Sequence, residues 1–170
     1  MKIKATLSDK FYCSIDRAFK TPILGDATQF LNGYFLQPPV IGFEDDSTWG
    51  KTGGVRYPTT NGNILTPRGR LFTDKIIVRD ENKIWQWIIY DFKVPLMFFA
   101  EKAMGEWEVV EEKENNIAVS YCYTFYSKNS FYHLFTILFV AMQWKGMMKK
   151  ALKAIKKQAE SYEPLIYENK

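Results

Sequence analysis

Several marks of redox, metal and secreted scaffolds are missing from this chain. Of its 170 residues two are cysteine, Cys13 and Cys122, and neither belongs to a Cys-x-x-Cys pair. Both fall in strand-like stretches, so free buried thiols are expected; a disulfide would need an oxidising compartment. His133 is the single histidine. A metal needs further ligands and a general base needs a positioned partner, and neither is visible near it. Gly53-Gly54 lacks the lysine and hydroxyl that follow the glycines of a phosphate loop. No metal or cofactor is expected. Net charge is only +4, and the surplus is local, crowded into Lys145, Lys149, Lys150, Lys153, Lys156 and Lys157. That is too little to argue for nucleic acid as a partner. The longest apolar run, Phe131 to Trp144, contains His133, Thr136 and Gln143 and stops at Lys145. A bilayer span needs about 20 apolar residues, so this run is too short. No apolar core of a signal peptide follows Met1-Lys2-Ile3-Lys4-Ala5, and a cytoplasmic location is the expectation.

What the chain does have is rings. Aromatic residues make up 16% and hydrophobic residues 46%, and large aromatics readily line a roomy interior. The length suits one domain, taken as residues 1–170. Residues 2–13 read as a strand. Ser14 can cap a short helix ended by Pro22 and Gly25, and Asp26 can cap a second over residues 27–32. Strands and turns then follow to about residue 128. Val40 to Glu44 is a short strand, and another begins at Gly53. Asn61-Gly62 is a hairpin signal of the type that needs positive φ at both central positions. Further strands are expected over 70–79, 84–93, 98–112 and 117–126, with a bend or bulge at Gly105. Turn signals at hairpin spacing imply sequential antiparallel neighbours. Ser130 can cap a last helix of about thirty residues that ends before Pro164. Its second half is one-sided, with Trp144, Met148, Ala151, Leu152 and Ile155 on one face and lysines on the other. Followed backward by threes and fours, that face takes in Ala141, Leu138, Ile137 and Leu134. The fold class is therefore α+β, a curved antiparallel sheet of about six to seven strands around a long C-terminal helix.

Five stretches carry a resemblance. They are Trp49-x-x-x-Gly53-Gly54-Val55-Arg56, Trp85 to Tyr90, Gly105-Glu106-Trp107-Glu108-Val109, Val119 to Phe125, and the closing helix through Ala151 to Lys156. With the order of elements, they resemble the START-like (SRPBCC, helix-grip, polyketide-cyclase-like) superfamily over essentially the whole chain. That resemblance implies a sheet gripping the helix around an apolar cavity, and a hydrophobic small molecule or lipid as partner. A minority of that superfamily are cyclases or dehydratases, so chemistry stays open.

Alternation in 117–125 puts Ile117, Val119, Tyr121, Tyr123 and Phe125 on one face, taken to point at the helix. The candidate cavity residues are Trp87, Tyr90, Trp107, Tyr121, Tyr123, Phe125, Leu134, Leu138, Ala141 and Met148, with Arg56, Arg70 and Asp91 as polar candidates. Facing in strands 70–79 and 84–92 stays open, because one residue of slip inverts a strand; a solvent-facing Asp91 is the favoured reading, and an inward Asp91 paired with Arg56, Arg70 or a hydroxyl is the alternative. Glu44-Asp45-Asp46 reads as a solvated loop. A second apolar stripe, Phe131, Phe135, Phe139 and Met142, runs along the first half of the last helix. The first reading is that loops or a strand extension cover it; a dimer contact and docking on an anionic membrane are the alternatives. Three functions compete: a binder of a hydrophobic molecule, a cyclase or aromatase using the same cavity, and an interaction module working through this stripe. Monomer and homodimer both remain open.

Overall fold

The computed structural model describes residues 1–161, with Met97 described by its backbone only. The strands are β1 (Lys2–Phe11), β2 (Gly42–Asp45), β3 (Val55–Thr60), β4 (Gly69–Arg70), β5 (Thr73–Asp80), β6 (Ile84–Tyr90), β7 (Ala100–Lys113) and β8 (Asn116–Ser127). They form one antiparallel sheet in the order β1-β8-β7-β6-β5-β3-β2, with β4 paired to β3. Helices α1 (Ile15–Leu24) and α2 (Ala27–Phe30) follow β1, and the chain closes with α3 (Ser130–Phe139), a π-helical turn (Val140–Trp144) and α4 (Lys145–Ala159). Pro164 lies outside the described residues. Alternation places Ile117, Val119, Tyr121, Tyr123 and Phe125 in the core beneath the helix, and Cys13 and Cys122 are free and buried.

Local chemistry explains the helix ends. Ser14 accepts from Arg17 N at 3.4 Å and Asp26 Oδ1 from Thr28 N at 3.1 Å, as capping requires. Pro22 does not end α1 but sits inside it. A proline has no N–H for the carbonyl four residues back, here Ala18, and its ring crowds that carbonyl. Trp107 Nε1 donates to the Ala18 carbonyl at 3.1 Å and Trp85 Nε1 to the Phe19 carbonyl at 2.8 Å, so the sheet supplies the donor the helix lacks. The last helix is capped by Asn129, which accepts from Tyr132 N, and not by Ser130.

Two turns differ from expectation. Only Gly62 of Asn61-Gly62 has positive φ, and the chain runs on into a tight loop closed by Asn63 and Thr66, with Ile64 and Leu65 at its tip. The strand expected over 70–79 is split at Leu71-Phe72 and has a register shift between Ile76 and Val78. Gly105 is no bulge. It is paired opposite Trp87, and a Cβ there would come within 2.1 Å of the Trp87 ring.

The closing helix departs most. Thr136, Val140, Gln143, Trp144, Met147, Met148, Ala151, Leu152 and Ile155 are buried, whereas Leu134, Ile137, Leu138 and Ala141 are exposed. The π turn holds one residue more than an α turn, so the buried face slips by about one position where the backward count assumed it continuous. Phe139 is half-buried against Phe99 and Trp144, but Phe131, Phe135 and Met142 are exposed, so no loop among the described residues covers that stripe.

Candidate functional site

The interior of the sheet is a chain of rings. Trp107 meets Tyr121 edge-on at 5.3 Å, Trp87 meets Tyr123 at 5.6 Å, and Trp144 of the helix meets Tyr123 at 5.0 Å and Phe125 at 4.9 Å. Such edge-to-face pairs fill space efficiently. What they leave open is a cavity of about 70 Å³ between the sheet, α1, α2 and the last helix. Its walls are mostly apolar: Ile23, Phe30, Phe43, Phe72, Trp87, Ile89, Tyr121, Tyr123, Trp144, Met147, Ala151 and Ile155. Pro22, Leu31, Phe43 and Trp49, which are only partly buried, mark the side nearest solvent. The roomy interior expected from the aromatic content is thus mostly filled by the aromatics themselves.

One basic and one acidic residue of the sheet face this space, Arg56 and Asp74, paired across β3 and β5. The Arg56 guanidinium is committed elsewhere. It lies between the rings of Phe43 and Trp49, at 4.3 and 4.1 Å, and makes a two-pronged pair with Asp45 at 2.7 and 2.8 Å. Asp74 is not committed. Solvent reaches part of the residue, yet its Oδ1 is sealed and accepts no hydrogen bond. Burial pushes its carboxyl up to about 7; the Arg56 charge pulls the other way and Asp45 adds a smaller upward push. Across the cavity wall the Trp144 indole N–H is likewise buried without an acceptor. Trp87 Nε1, by contrast, donates to the Tyr123 hydroxyl at 3.2 Å. Burial raises both the Tyr121 and Tyr123 phenols above their usual range, so they stay protonated at neutral pH.

Of the residues expected from sequence, Trp87, Tyr121, Tyr123 and Arg56 line the cavity. Trp107, Phe125 and Met148 are buried in the core beside it and do not line it. Tyr90 lies on the outer face of β6, because Trp85, Trp87 and Ile89 take the inner one. Leu134, Leu138 and Ala141 point outward for the reason given by the π turn. Arg70 is at the surface, bonded to Glu44 at 2.8 Å and stacked over Tyr57. Asp91 is exposed in a turn with φ of 53°, where its carboxylate approaches Thr73 Oγ1 at 3.5 Å.

Asp74 and Trp144 were missing from that expectation. Asp74 sits two residues before the buried Ile76, and period-two alternation from Ile76 was the signal that could have found it. His133 does not reach the cavity; its Nδ1 lies 3.1 Å from Ser127 Oγ, which donates to Thr136, and this knot ties the start of α3 to the end of β8. In the acidic run, Glu44 and Asp45 pair with arginines, and Asp46 accepts from Thr48 N and Val55 N. Among the described residues no group of three metal-ligating side chains gathers, and no helix is long and apolar enough to cross a membrane.

No family model and no curated protein matches the sequence. Solved structures do match in shape. Norcoclaurine synthase from Thalictrum flavum, in complex with dopamine and hydroxybenzaldehyde, superposes with a TM-score of 0.69 at 15% identity, covering 96% of this chain and 90% of that one. The Zhui aromatase/cyclase from a Streptomyces species gives 0.67 at 12% identity, covering 94% of each. Ginseng major latex-like protein 151, from Panax ginseng, gives 0.64 at 12% identity, covering 94% and 98%. All three have the START-like helix-grip fold, and so does this chain.

Proposed function

We propose that this helix-grip chain binds a small apolar molecule carrying a hydroxyl or similar donor-and-acceptor group, held between the sheet and the last helix. The observation that carries this reading is that two residues lining one cavity each hold a buried unpaired polar atom, Asp74 Oδ1 on the sheet side wanting a donor and Trp144 Nε1 on the helix side wanting an acceptor. Buried polar groups in native proteins are nearly always paired, so two orphans of opposite kind beside one cavity call for an occupant. A hydroxyl can serve both at once. Aromatic walls favour a ring behind that hydroxyl. The neighbour in complex with dopamine and hydroxybenzaldehyde holds molecules of that description.

Size narrows the occupant. A cavity of about 70 Å³ is smaller than the roughly 150 Å³ that takes benzene. A ring therefore enters only as the partly buried side chains Leu31, Phe43 and Trp49 give way. A long acyl chain would require the helix to leave the sheet, which sets lipid behind small molecules. The chain acts as one ligand-binding unit inside the cytoplasm in this reading.

A second reading rests on Asp74 alone. A carboxyl titrating near 7 suits acid–base work at neutral pH, and the same cavity would then turn over a hydrophobic substrate. Native mass spectrometry of the freshly purified chain, followed by analysis of what denaturation releases, tests both. One apolar, hydroxyl-bearing mass per chain supports binding. Phenol should then bind more tightly than benzene, and Asp74→Asn should narrow the difference. An empty chain that binds neither phenol nor benzene contradicts the proposal. Conversion of the released molecule by the wild type and not by Asp74→Asn would move the second reading ahead.

A further inference from the structure

Away from the cavity, three loops converge on one stretch of the last helix. Gln143 Nε2 donates to the Tyr34 carbonyl, while its Oε1 accepts from Leu36 N at 3.4 Å. Asn63 Nδ2 donates to the Leu36 carbonyl at 3.0 Å, bringing the 61–66 loop alongside. Thr136 Oγ1 donates to the Phe99 carbonyl at 3.4 Å, and the Phe99 ring lies 5.3 Å from Phe139. At this pole the apolar side chains point away from the core. Ile64 is 99% exposed, Phe35 81%, Phe131 73% and Met142 71%, and Leu134, Phe135 and Leu138 are exposed with them. Exposed apolar side chains gathered at one pole in this way mark a site of contact.

Charge decides the partner. No aspartate or glutamate occurs between Glu114 and Glu160, nor in residues 31–43, 57–73 and 92–100, which hold the three loops. Along the outside of the last helix the exposed strip passes from Phe135, Leu138 and Met142 directly to Lys145, Lys149 and Lys153. A second copy of this chain would bring the same lysines and no carboxylate to meet them, and like charges facing each other oppose association. Phe35 and Ile64 stand at loop tips, a convex arrangement suited to insertion into a soft apolar phase. A bilayer with acidic headgroups supplies hydrocarbon for the tips and anions for the lysines.

We propose that this pole docks reversibly on an anionic lipid bilayer. Helix α3 lies in the interface, Phe35, Ile64 and Phe135 reach below the headgroups, and Lys145, Lys149 and Lys153 meet them. The docking surface is separate from the cavity and does not depend on what the cavity holds.

Vesicle co-sedimentation of the full chain tests this, with phosphatidylcholine vesicles containing or lacking phosphatidylserine, and light scattering gives the mass in solution. The chain should sediment with the phosphatidylserine vesicles and be released by high salt. Phe35→Ser with Phe135→Ser should weaken binding about tenfold or more, and Lys149→Glu with Lys153→Glu about tenfold. All four residues are exposed, so the thermal melt should not change, which separates lost docking from lost folding. Failure to sediment with acidic vesicles, equal binding to both vesicle types, or undiminished binding by the variants overturns the proposal. So does a dimer that Phe135→Ser converts to monomer without any vesicle binding, which would give the face to a second copy.

Discussion

Five tryptophans stand in the chain, and their indole N–H groups divide them by task. Trp85 and Trp107 donate to the Phe19 and Ala18 carbonyls beside Pro22, and Trp49 donates to the Ile23 carbonyl at 3.2 Å. Trp85 and Trp107 fasten α1 to the sheet, and Trp49 fastens it to the turn between β2 and β3. Trp107→Phe keeps a ring in the core but leaves the Ala18 carbonyl buried without its donor, and should cost about 1–3 kcal/mol in a urea melt. Trp87 and Trp144 face the cavity instead, Trp144 from the helix side and Asp74 from the sheet side. Because the Asp74 carboxyl stands at about 7 in the folded chain against 3.8 ordinarily, the folded state holds the proton longer than the unfolded one. Stability should therefore fall as pH rises from about 4 to about 7 and stay reduced above that. Asp74→Asn should match the wild type near the acid end of this window and exceed it at the alkaline end, as urea melts at the two pH values will show. An unchanged slope in the variant would mean that another group sets the pH dependence. Sequence alone offered Arg56, Arg70 and Asp91 as polar candidates and favoured solvent for Asp91; Arg56 lines the cavity, Asp91 is exposed, and Asp74, which also lines the cavity, was not among them. The charged residues of β3–β6 are readable as residues; alternation back from Ile76 reaches Asp74, but beyond it the register shift at Ile76/Val78 and the turn at Asp91 break the pattern that would carry the facing onward.

At the scale of elements, alternation was dependable where strands were long and evenly paired. The inward set of β8 follows from its sequence, because β7 and β1 run alongside it with little interruption. The helix was harder. Trp144, Met148, Ala151, Leu152 and Ile155 share the buried face that their spacing implies, and the count fails only on crossing the π turn at Val140–Trp144. An apolar stretch such as Phe131 to Met142 offers no polar face to fix its rotation, so nothing in its composition could reveal the slip. Gly105 carries a different lesson. Its place opposite Trp87 is set by ring packing, so Gly105→Ala should destabilise by about 1–3 kcal/mol by pushing Trp87 into Tyr121 and Tyr123. A thermal melt checks this. A neutral or stabilising result would show that the Trp87 ring can move aside freely.

For the whole molecule, the order of strands, short helices and one closing helix was legible from turn spacing and periodicity, and the superposed structures share it. The size of the interior was not legible. Aromatic content can line a space or fill it, and only the interlocking of Trp107, Tyr121, Trp87, Tyr123 and Trp144 decides which. The same geometry separates two regions: a small, mostly apolar cavity lined by residues with unpaired polar atoms, and an apolar, acid-free pole at the outer side of the last helix. The central claim concerns the first, that a hydroxyl-bearing molecule completes the hydrogen bonds of Asp74 and Trp144. The most direct measurement is a carboxyl-carbon NMR titration of Asp74, with the Trp144 indole proton followed in the same samples, for the empty chain and with phenol added to saturation. The account predicts a midpoint near 7 when empty, a lower midpoint once a hydroxyl donates to the carboxylate, and an indole shift that saturates with it. A midpoint near 3.8 in the empty chain, or a carboxyl and an indole both indifferent to phenol, would contradict it.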